Sequence, residues 1–360
     1  MSKFSRKSIA LLCVVAGGSL AVFAATASGG TAKHSANAEI AVLLPDTQSS
    51  VRWETADRPA LSAAFKKAGL TYNIVNAQGS ATTQQTQAEQ AITNGAKVIL
   101  LVDLDSGSGA AIEKNAKAHG VKVIDYDRLT LKGAATYYVS FNNVTVGKFQ
   151  GQGIVGCLKA SGMYSKHPVV AELNGAPTDN NATLFAQGYN SILNPLYKNG
   201  TFKKGPNQSV PDWDNQKALT IFEQMLASTG NKIDAVDAAN DGLANSVVSA
   251  LKARHLKQIP VSGQDATVQG IQNIISGWQC ETTYKPVPLE AAAASKLAIS
   301  LIKGGKPVGI NGKTSDGVRQ VPSVLETPIA VTKANWDKPI KDGYLKRSDV
   351  CSGTYAKYCK

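Results

Sequence analysis

From Glu39 onward, short apolar runs alternate with longer segments of helical period. The runs Ile40–Leu44, Tyr72–Asn76, Lys97–Val102, Val121–Tyr126 and Thr136–Val139 are followed closely, in most cases, by Pro, Asp, Asn or Ser. This is the pattern of buried parallel strands with loops at their carboxyl ends. Between them, Ala56–Ala68, Thr82–Asn94 and Ser108–His119 predict helices, each followed by the Gly that ends a helix. The rhythm then restarts. Helix Val144–Leu158 leads to strand Val169–Leu173, helix Ala182–Leu196, a strand near Gln208–Pro211 and helix Asn215–Ser228. Strand Ile233–Ala238, helix Gly242–Arg254, strand Pro260–Ser262, helix Val268–Ser276 and strand Glu281–Tyr284 complete a second unit of similar size.

This order predicts an α/β protein with two three-layer α/β/α domains, each built on a parallel sheet. Helix Leu289–Ile302 and a strand near Ser323–Val331 remain after Pro286. The economical placement returns this part of the chain to the first sheet. Residues 39–139 plus 286–325 then form one lobe and 140–285 plus 326–360 the other, joined by a hinge over a cleft.

A length of 360 residues suits two domains, and 43% hydrophobic with 18% charged residues is ordinary for a globular chain. The formal charge of +12 is spread along the sequence with no long basic run beside aromatics. That argues against a nucleic-acid partner and for a basic secreted surface. Export is written at the N-terminus. Lys3, Arg6 and Lys7 precede the apolar stretch Ile9–Phe23, and Ala25-Thr26-Ala27 supplies an A-x-A-like cleavage site. Residues 1–27 are therefore read as a signal peptide and 28–38 as a flexible leader. Cys13 follows Leu11 and Leu12 rather than the small residues a lipoprotein needs, so cleavage near Ala27 is expected.

Cys157, Cys280, Cys351 and Cys359 remain, an even set that suggests disulfides in an exported chain, with three connectivities open. A local staple between Cys351 and Cys359 is the natural pairing and leaves Cys157 with Cys280. A zinc site is the rival, without a Cys-x-x-Cys or a nearby His pair to support it.

In open α/β sheets the ligand lies beyond the carboxyl ends of the strands. Those ends carry Arg52-Trp53, Asp127-Arg128, Asp179-Asn180-Asn181, Trp213, Asn240-Asp241, Gln264-Asp265 and Lys285. Carboxylates, amides and cations of this kind suit sugar hydroxyls, and Trp faces cover the apolar C–H surface of a pyranose. Each residue alone has a plainer use. Asp46, Asp241 and Asp265 suit helix caps, a single Trp suits packing, and Arg52 or Lys285 suits a solvated surface. Their joint occurrence at seven strand ends favours a site.

Other motifs carry little. Gly151-Gln152-Gly153-Ile154-Val155-Gly156 matches a dinucleotide fingerprint but falls within a predicted helix. The four His are scattered in sequence, which argues against a His-centred triad or metal site, and Asp103 with Asp105 gives no reason to expect opposed carboxylates.

Taken in order, Tyr126-Asp127-Arg128, Thr178-Asp179-Asn180-Asn181-Ala182, Ala239-Asn240-Asp241-Gly242, Ser262-Gly263-Gln264-Asp265-Ala266 and Thr283-Tyr284-Lys285-Pro286 resemble the type I periplasmic sugar-binding proteins. More narrowly they resemble the bacterial D-xylose-binding proteins, from Ile40 to about Thr332. The resemblance implies that Arg52, Asp127, Arg128, Asn181, Asn240, Asp265 and Lys285 bind hydroxyls, that Trp53 and Trp213 sandwich the ring, and that Asp179 is a further polar pocket position. The chain departs from the family pattern at Val51, where Glu is expected, and at Asn142, where Asp is expected. The expected function is capture of a monosaccharide, D-xylose first, by hinge closure, with delivery to an ABC permease by a monomeric binding protein. No catalytic residue, cofactor or metal is expected. A binding protein for arabinose, glucose or galactose and an exported glycosidase are the alternatives. The lactose-repressor family shares the two-lobed core but needs a DNA-reading segment where this chain has a signal sequence.

Overall fold

A computed structural model describes residues 37–359. The predicted signal peptide at 1–27, Cys13 and the leader as far as residue 36 lie outside the described residues. The leader expected up to residue 38 ends sooner, because Ala38 is buried and Thr71 Oγ1 donates to the Asn37 carbonyl at 2.8 Å.

The first half lays down β1 (Ile40–Leu44), α1 (Arg58–Lys67), β2 (Tyr72–Asn76), α2 (Ala81–Thr93), β3 (Val98–Leu101), α3 (Ser106–Ala118), β4 (Lys122–Tyr126) and β5 (Tyr137–Phe141). The second half follows with α4 (Asn143–Ala160), β6 (Val169–Asn174), α5 (Asn180–Lys198), β7 (Lys203–Ser209), α6 (Asn215–Ser228), β8 (Ala235–Ala238), α7 (Asp241–Ala253), α8 (Val268–Ser276) and β9 (Glu281–Tyr284). After these come α9 (Val287–Ile302), β10 (Gly312–Ser315), β11 (Gln320–Glu326) and β12 (Ile329–Thr332), with short helices α10 (Lys338–Lys341) and α11 (Arg347–Val350) in the C-terminal segment.

One sheet has the order β10-β11-β5-β4-β3-β1-β2, parallel except for the β10–β11 hairpin. Its interior strand β1, between β3 and β2, is buried throughout, as a continuous apolar run between two helical layers requires. The other sheet has β7-β6-β8, extended by the bridge from Val236 to Val261 and then by the bridge from Gln264 to Thr283 onto the β9–β12 pair. The predicted strand Pro260–Ser262 survives only as that isolated bridge. Two α/β/α lobes result, each with its own apolar core.

Three sequence expectations shift. The strand expected near Gln208–Pro211 begins earlier, at Lys203, because β7 is a polar edge strand whose residues show no apolar alternation. The single strand expected over Ser323–Val331 is two strands in two sheets, β11 beside β5 and β12 beside β9. Thr327 and Pro328 separate them, and proline cannot donate to a ladder. The glycine motif in α4 serves packing: a Cβ on Gly151 would lie 3.1 Å from the Tyr189 carbonyl oxygen of α5, and one on Gly153 2.7 Å from Glu281 Cβ of β9.

Most helices start on a polar residue just past a strand. Ser80, Asp105, Asn142, Asp179, Asp214, Asn240 and Thr267 each accept a backbone N–H of the following turn. Cys157 is bonded to Cys280, tying α4 to β9, and Cys351 to Cys359, closing the C-terminal segment.

The Cys157–Cys280 bond spans 123 residues. Replacing both cysteines by Ser is expected to lower unfolding free energy by about 2–4 kcal/mol, measured by urea titration. An unchanged midpoint would contradict this.

A second expectation concerns buried carboxyls. Burial raises both Asp103, at the end of β3, and Asp241, at the start of α7, from an ordinary 3.8 to about 7. Both bind a proton more tightly folded than unfolded. Their stabilisation is therefore full below pH 3.8 and lost as pH rises through about 7. The melting temperature is expected to fall by at least about 2 °C between pH 5.5 and 8.5. A rise across that window by calorimetry would contradict the assignment.

Candidate functional site

The carboxyl ends of both sheets face one cleft, and all ten residues singled out as ligand candidates line one pocket there. None is more than 7% exposed. The cavity they leave is small, about 30 Å³, well below the roughly 300–1,000 Å³ of small-molecule sites, so a ring enters only as the surrounding groups part.

Arg52 precedes a π-helical turn over Trp53–Asp57, in which the Arg58 N–H reaches back five residues to the Trp53 carbonyl. The wider winding brings residues five apart together. Arg52 Nε and Nη2 grip the two Asp57 oxygens at 2.9 and 2.8 Å. Its Nη1 reaches Asp127 Oδ2 at 2.8 Å, and Glu290 of α9 takes the remaining Nη2 direction. The guanidinium is also stacked 4.7 Å from the Trp53 ring centroid, and Trp53 Nε1 donates to Ser49 Oγ at 3.0 Å.

Asp127 stands at the end of β4 with φ of +63°, a left-handed conformation rare outside glycine. The surroundings over-determine it. Its carbonyl accepts from Tyr138 OH, Ser140 Oγ and Asn181 Nδ2 at 3.0, 2.8 and 3.0 Å. Asn181 Nδ2 also donates to Asp127 Oδ1 at 3.1 Å, and Lys285 Nζ lies 3.4 Å from Oδ2. Burial pushes the Asp127 carboxyl up, but Lys285, Arg52 and Arg128 together outweigh it and hold the group at about 2. It is ionised at any ordinary pH.

Arg128, the next residue, donates to the Asp103 carbonyl and to Ser49 Oγ at 3.0 and 3.1 Å, and its Nε pairs with Asp179 Oδ2 at 3.1 Å. Asp179 caps α5 through the Asn181 N–H and accepts from Trp213 Nε1 at 3.1 Å. Burial raises its carboxyl despite Arg128. Trp213 also has positive φ, and its ring occupies the space a side chain at residue 175 would need: a Cβ on Gly175 would lie 2.0 Å from Trp213 Cη2. Asp265 contacts Ser50 Oγ at 3.5 Å and Lys285 Nζ at 3.7 Å. Thr267, not Asp265, caps α8, and Asn240, not Asp241, caps α7. Asp46 holds a turn through the Gln48 and Ser49 N–H groups. Asp103 and Asp105 diverge, since Asp105 caps α3.

Three lining residues were not singled out, Ser49, Ser50 and Phe185, and a fourth, Gln264, was noted at its strand end but left out of the ligand set. Phe185 packs edge-on against Trp213 at 6.4 Å and lies one helical turn after Asn181, a spacing that could have exposed it. Gln264 adjoins Asp265 in sequence, is 4% exposed, and its Oε1 has no protein partner. Ser49 and Ser50 sit in the loop after β1, which carries no comparable signal. The two departures from the family pattern fall outside this lining. Asn142 is an exposed cap of α4, and Val51 is 61% exposed at the cleft mouth.

The lining carries three cations (Arg52, Arg128, Lys285) and three carboxylates (Asp127, Asp179, Asp265), so the charges balance. Such a site suits a neutral ligand rich in hydroxyls better than an anion or a cation. Among the described residues no cluster of metal-ligating side chains occurs, and no helix is long and apolar enough to cross a membrane.

The pattern of the periplasmic binding protein domain matches residues 40–306. The D-xylose-binding periplasmic protein of Escherichia coli (strain K12) is 34% identical over 321 residues, 89% of this chain and 94% of that protein. The multiple sugar-binding periplasmic receptor ChvE of Rhizobium radiobacter is 31% identical over 86% of this chain and 91% of its own length. A solved ABC-transporter solute-binding protein from Clostridium phytofermentans, with bound β-D-glucose, aligns with a TM-score of 0.80 at 28% identity, over 86% of this chain and 99% of that one. Fold, cleft and these likenesses agree: the chain belongs to the periplasmic binding protein family.

Proposed function

We propose that this protein captures a neutral monosaccharide, D-xylose first among aldoses, outside the cytoplasmic membrane and hands it to an ABC importer. As a family member it is a binding protein rather than an enzyme. The observation that carries the reading is the charge-balanced, nearly fully buried ring of hydrogen-bonding groups walled by Trp53, Phe185 and Trp213. Carboxylates accept from sugar hydroxyls, Arg and Lys donate to ring and hydroxyl oxygens, and the aromatic walls cover C–H faces. The xylose-binding relative at 34% identity supports the choice of sugar, and the glucose-bound neighbour keeps hexoses in the test.

The proposed mechanism is closure of two lobes around the ligand. Residues 39–139 with 286–325 form one lobe and 140–285 with 326–360 the other. Sheet membership supports this division to within a residue or two: β5 ends in the first sheet at Phe141, β9 in the second at Tyr284, and β11 in the first at Glu326. Three crossings make the hinge. Groups from both lobes meet at Asp127, through Arg52 on one side and Asn181 and Lys285 on the other. A ligand that bridges them favours the shut state by its differential contacts. Export through the predicted signal peptide, action as a monomer and the absence of a nucleic-acid partner belong to the same reading.

Titration calorimetry with xylose, arabinose, glucose and galactose tests it. Binding of xylose is expected to be tightest, and silence across the panel would remove the sugar reading. Trp213→Ala is expected to weaken binding by about 1–3 kcal/mol through lost ring burial. Gly175→Ala is expected to do the same with little loss of fold, because the new Cβ displaces the Trp213 ring. Wild-type affinity in both variants would take Trp213 out of the site. Asp127→Asn leaves Arg52 and Lys285 facing a neutral amide, and an affinity loss of about 2–5 kcal/mol is expected in the same titration.

A further inference from the structure

Outside the inner pocket the cleft widens into a second compartment of about 640 Å³. The two share Ser49, Ser50, Asn240 and Asp265 as a common wall. That wall is spanned by Ser50 Oγ and Asp265 Oδ2 at 3.5 Å, the outer limit of a hydrogen bond and easily exchanged for a ligand oxygen. The lining changes character beyond it. Thr55 comes from the first lobe, Asn215, Asn245 and Gln269 from the second, and Tyr344 with Leu345 from the C-terminal segment. Neutral amides and hydroxyls replace the inner ring of ion pairs, and Lys346 and Asp349 are the charges added by the tail.

The third wall is built. Tyr344 packs at 5.2 Å on Tyr284, the residue before Lys285, so the tail is registered on the inner site. Gln272 Nε2 donates to the Val350 carbonyl at 3.1 Å, and the Cys351–Cys359 bond closes the segment. An opening bounded by Asp46, Asp212 and Asp214 is smaller, about 240 Å³, and Arg128 and Lys217 close it with ion pairs to Asp179 and Asp212. It offers a second ring less room.

The geometry points to a second carbohydrate subsite in the compartment walled by Tyr344. The protein then accepts a disaccharide whose terminal ring fills the inner pocket and whose second ring lies against Tyr344, the glycosidic oxygen passing between Ser50 and Asp265. The inference rests on the monosaccharide reading above and extends it to a class of longer ligands.

Calorimetry on the full mature chain, with D-xylose and D-glucose against xylobiose, cellobiose and maltose, separates the two claims. At least one disaccharide is expected to bind within about tenfold of its constituent aldose. Tyr344→Ala and Thr55→Trp, the second placing bulk at an exposed vestibule position, are each expected to weaken that disaccharide at least about tenfold while the aldose changes less than about twofold. Aldose binding with no disaccharide binding overturns the subsite and leaves the monosaccharide reading standing. Disaccharide binding indifferent to both variants places the second ring elsewhere and also overturns it. Failure of every sugar overturns both claims.

Discussion

Asp127 is a carboxylate almost wholly shielded from bulk water, on a backbone turned into the left-handed region, and nothing about that position is stable by itself. It persists because four segments of the chain converge on it. Arg52 and Lys285 neutralise the side chain, while Tyr138, Ser140 and Asn181 satisfy the carbonyl. These partners belong to the loop after β1, to β5, to the start of α5 and to the crossing after β9. The cleft geometry is thus the geometry of solvating one buried anion. Arg52 carries the same logic outward, since its other hydrogen bonds go to Asp57 and to Glu290 at the head of α9.

Burying so many charges is costly, and ion pairs inside proteins rarely add stability over an apolar replacement. What they confer here is a wall of oriented dipoles with no net charge. A polyol that replaces some of these contacts loses little, because each hydroxyl finds both a donor and an acceptor within reach. Contact with a cation does not hold every carboxyl ionised. Burial lifts Glu290 to about 8 against the pull of Arg52, with Asp127 and Asp57 adding to the rise, so the head of α9 is anionic only at alkaline pH.

Much of this was legible from residue order. The alternation of apolar runs and helical segments located nearly every element, and the strand-end rule of open α/β sheets brought out Asp127, Asp179, Asn240 and Asp265. What escaped has physical reasons. β7 is an edge strand whose partly exposed polar residues carry no period, and the Thr327-Pro328 break between β11 and β12 is too short to interrupt an apolar run. Phe185 was hidden because a buried aromatic on a helix looks the same whether it faces a core or a cavity. Asp57 and Glu290 reach the pocket through Arg52, and a π-helical turn with a spacing of five is not a pattern that ordinary helical periodicity reveals. Capping and pocket lining are also not exclusive: Asp179 and Asn240 do both, whereas Asp105, Asn142 and Asp214 only cap.

The late return of the chain to the first sheet has a consequence for how the molecule is made. β5 lacks its outer neighbour until β11 has been synthesised, some 180 residues further on in the order of assembly. Until then the first lobe presents an open strand edge, and α9 has not yet covered its core. The second lobe waits longer still for one edge, because β9 gains its partner β12 only after β11 is made, and the C-terminal segment packs on α8 last of all. Neither lobe is complete until the chain is nearly finished, so the two sheets close almost together.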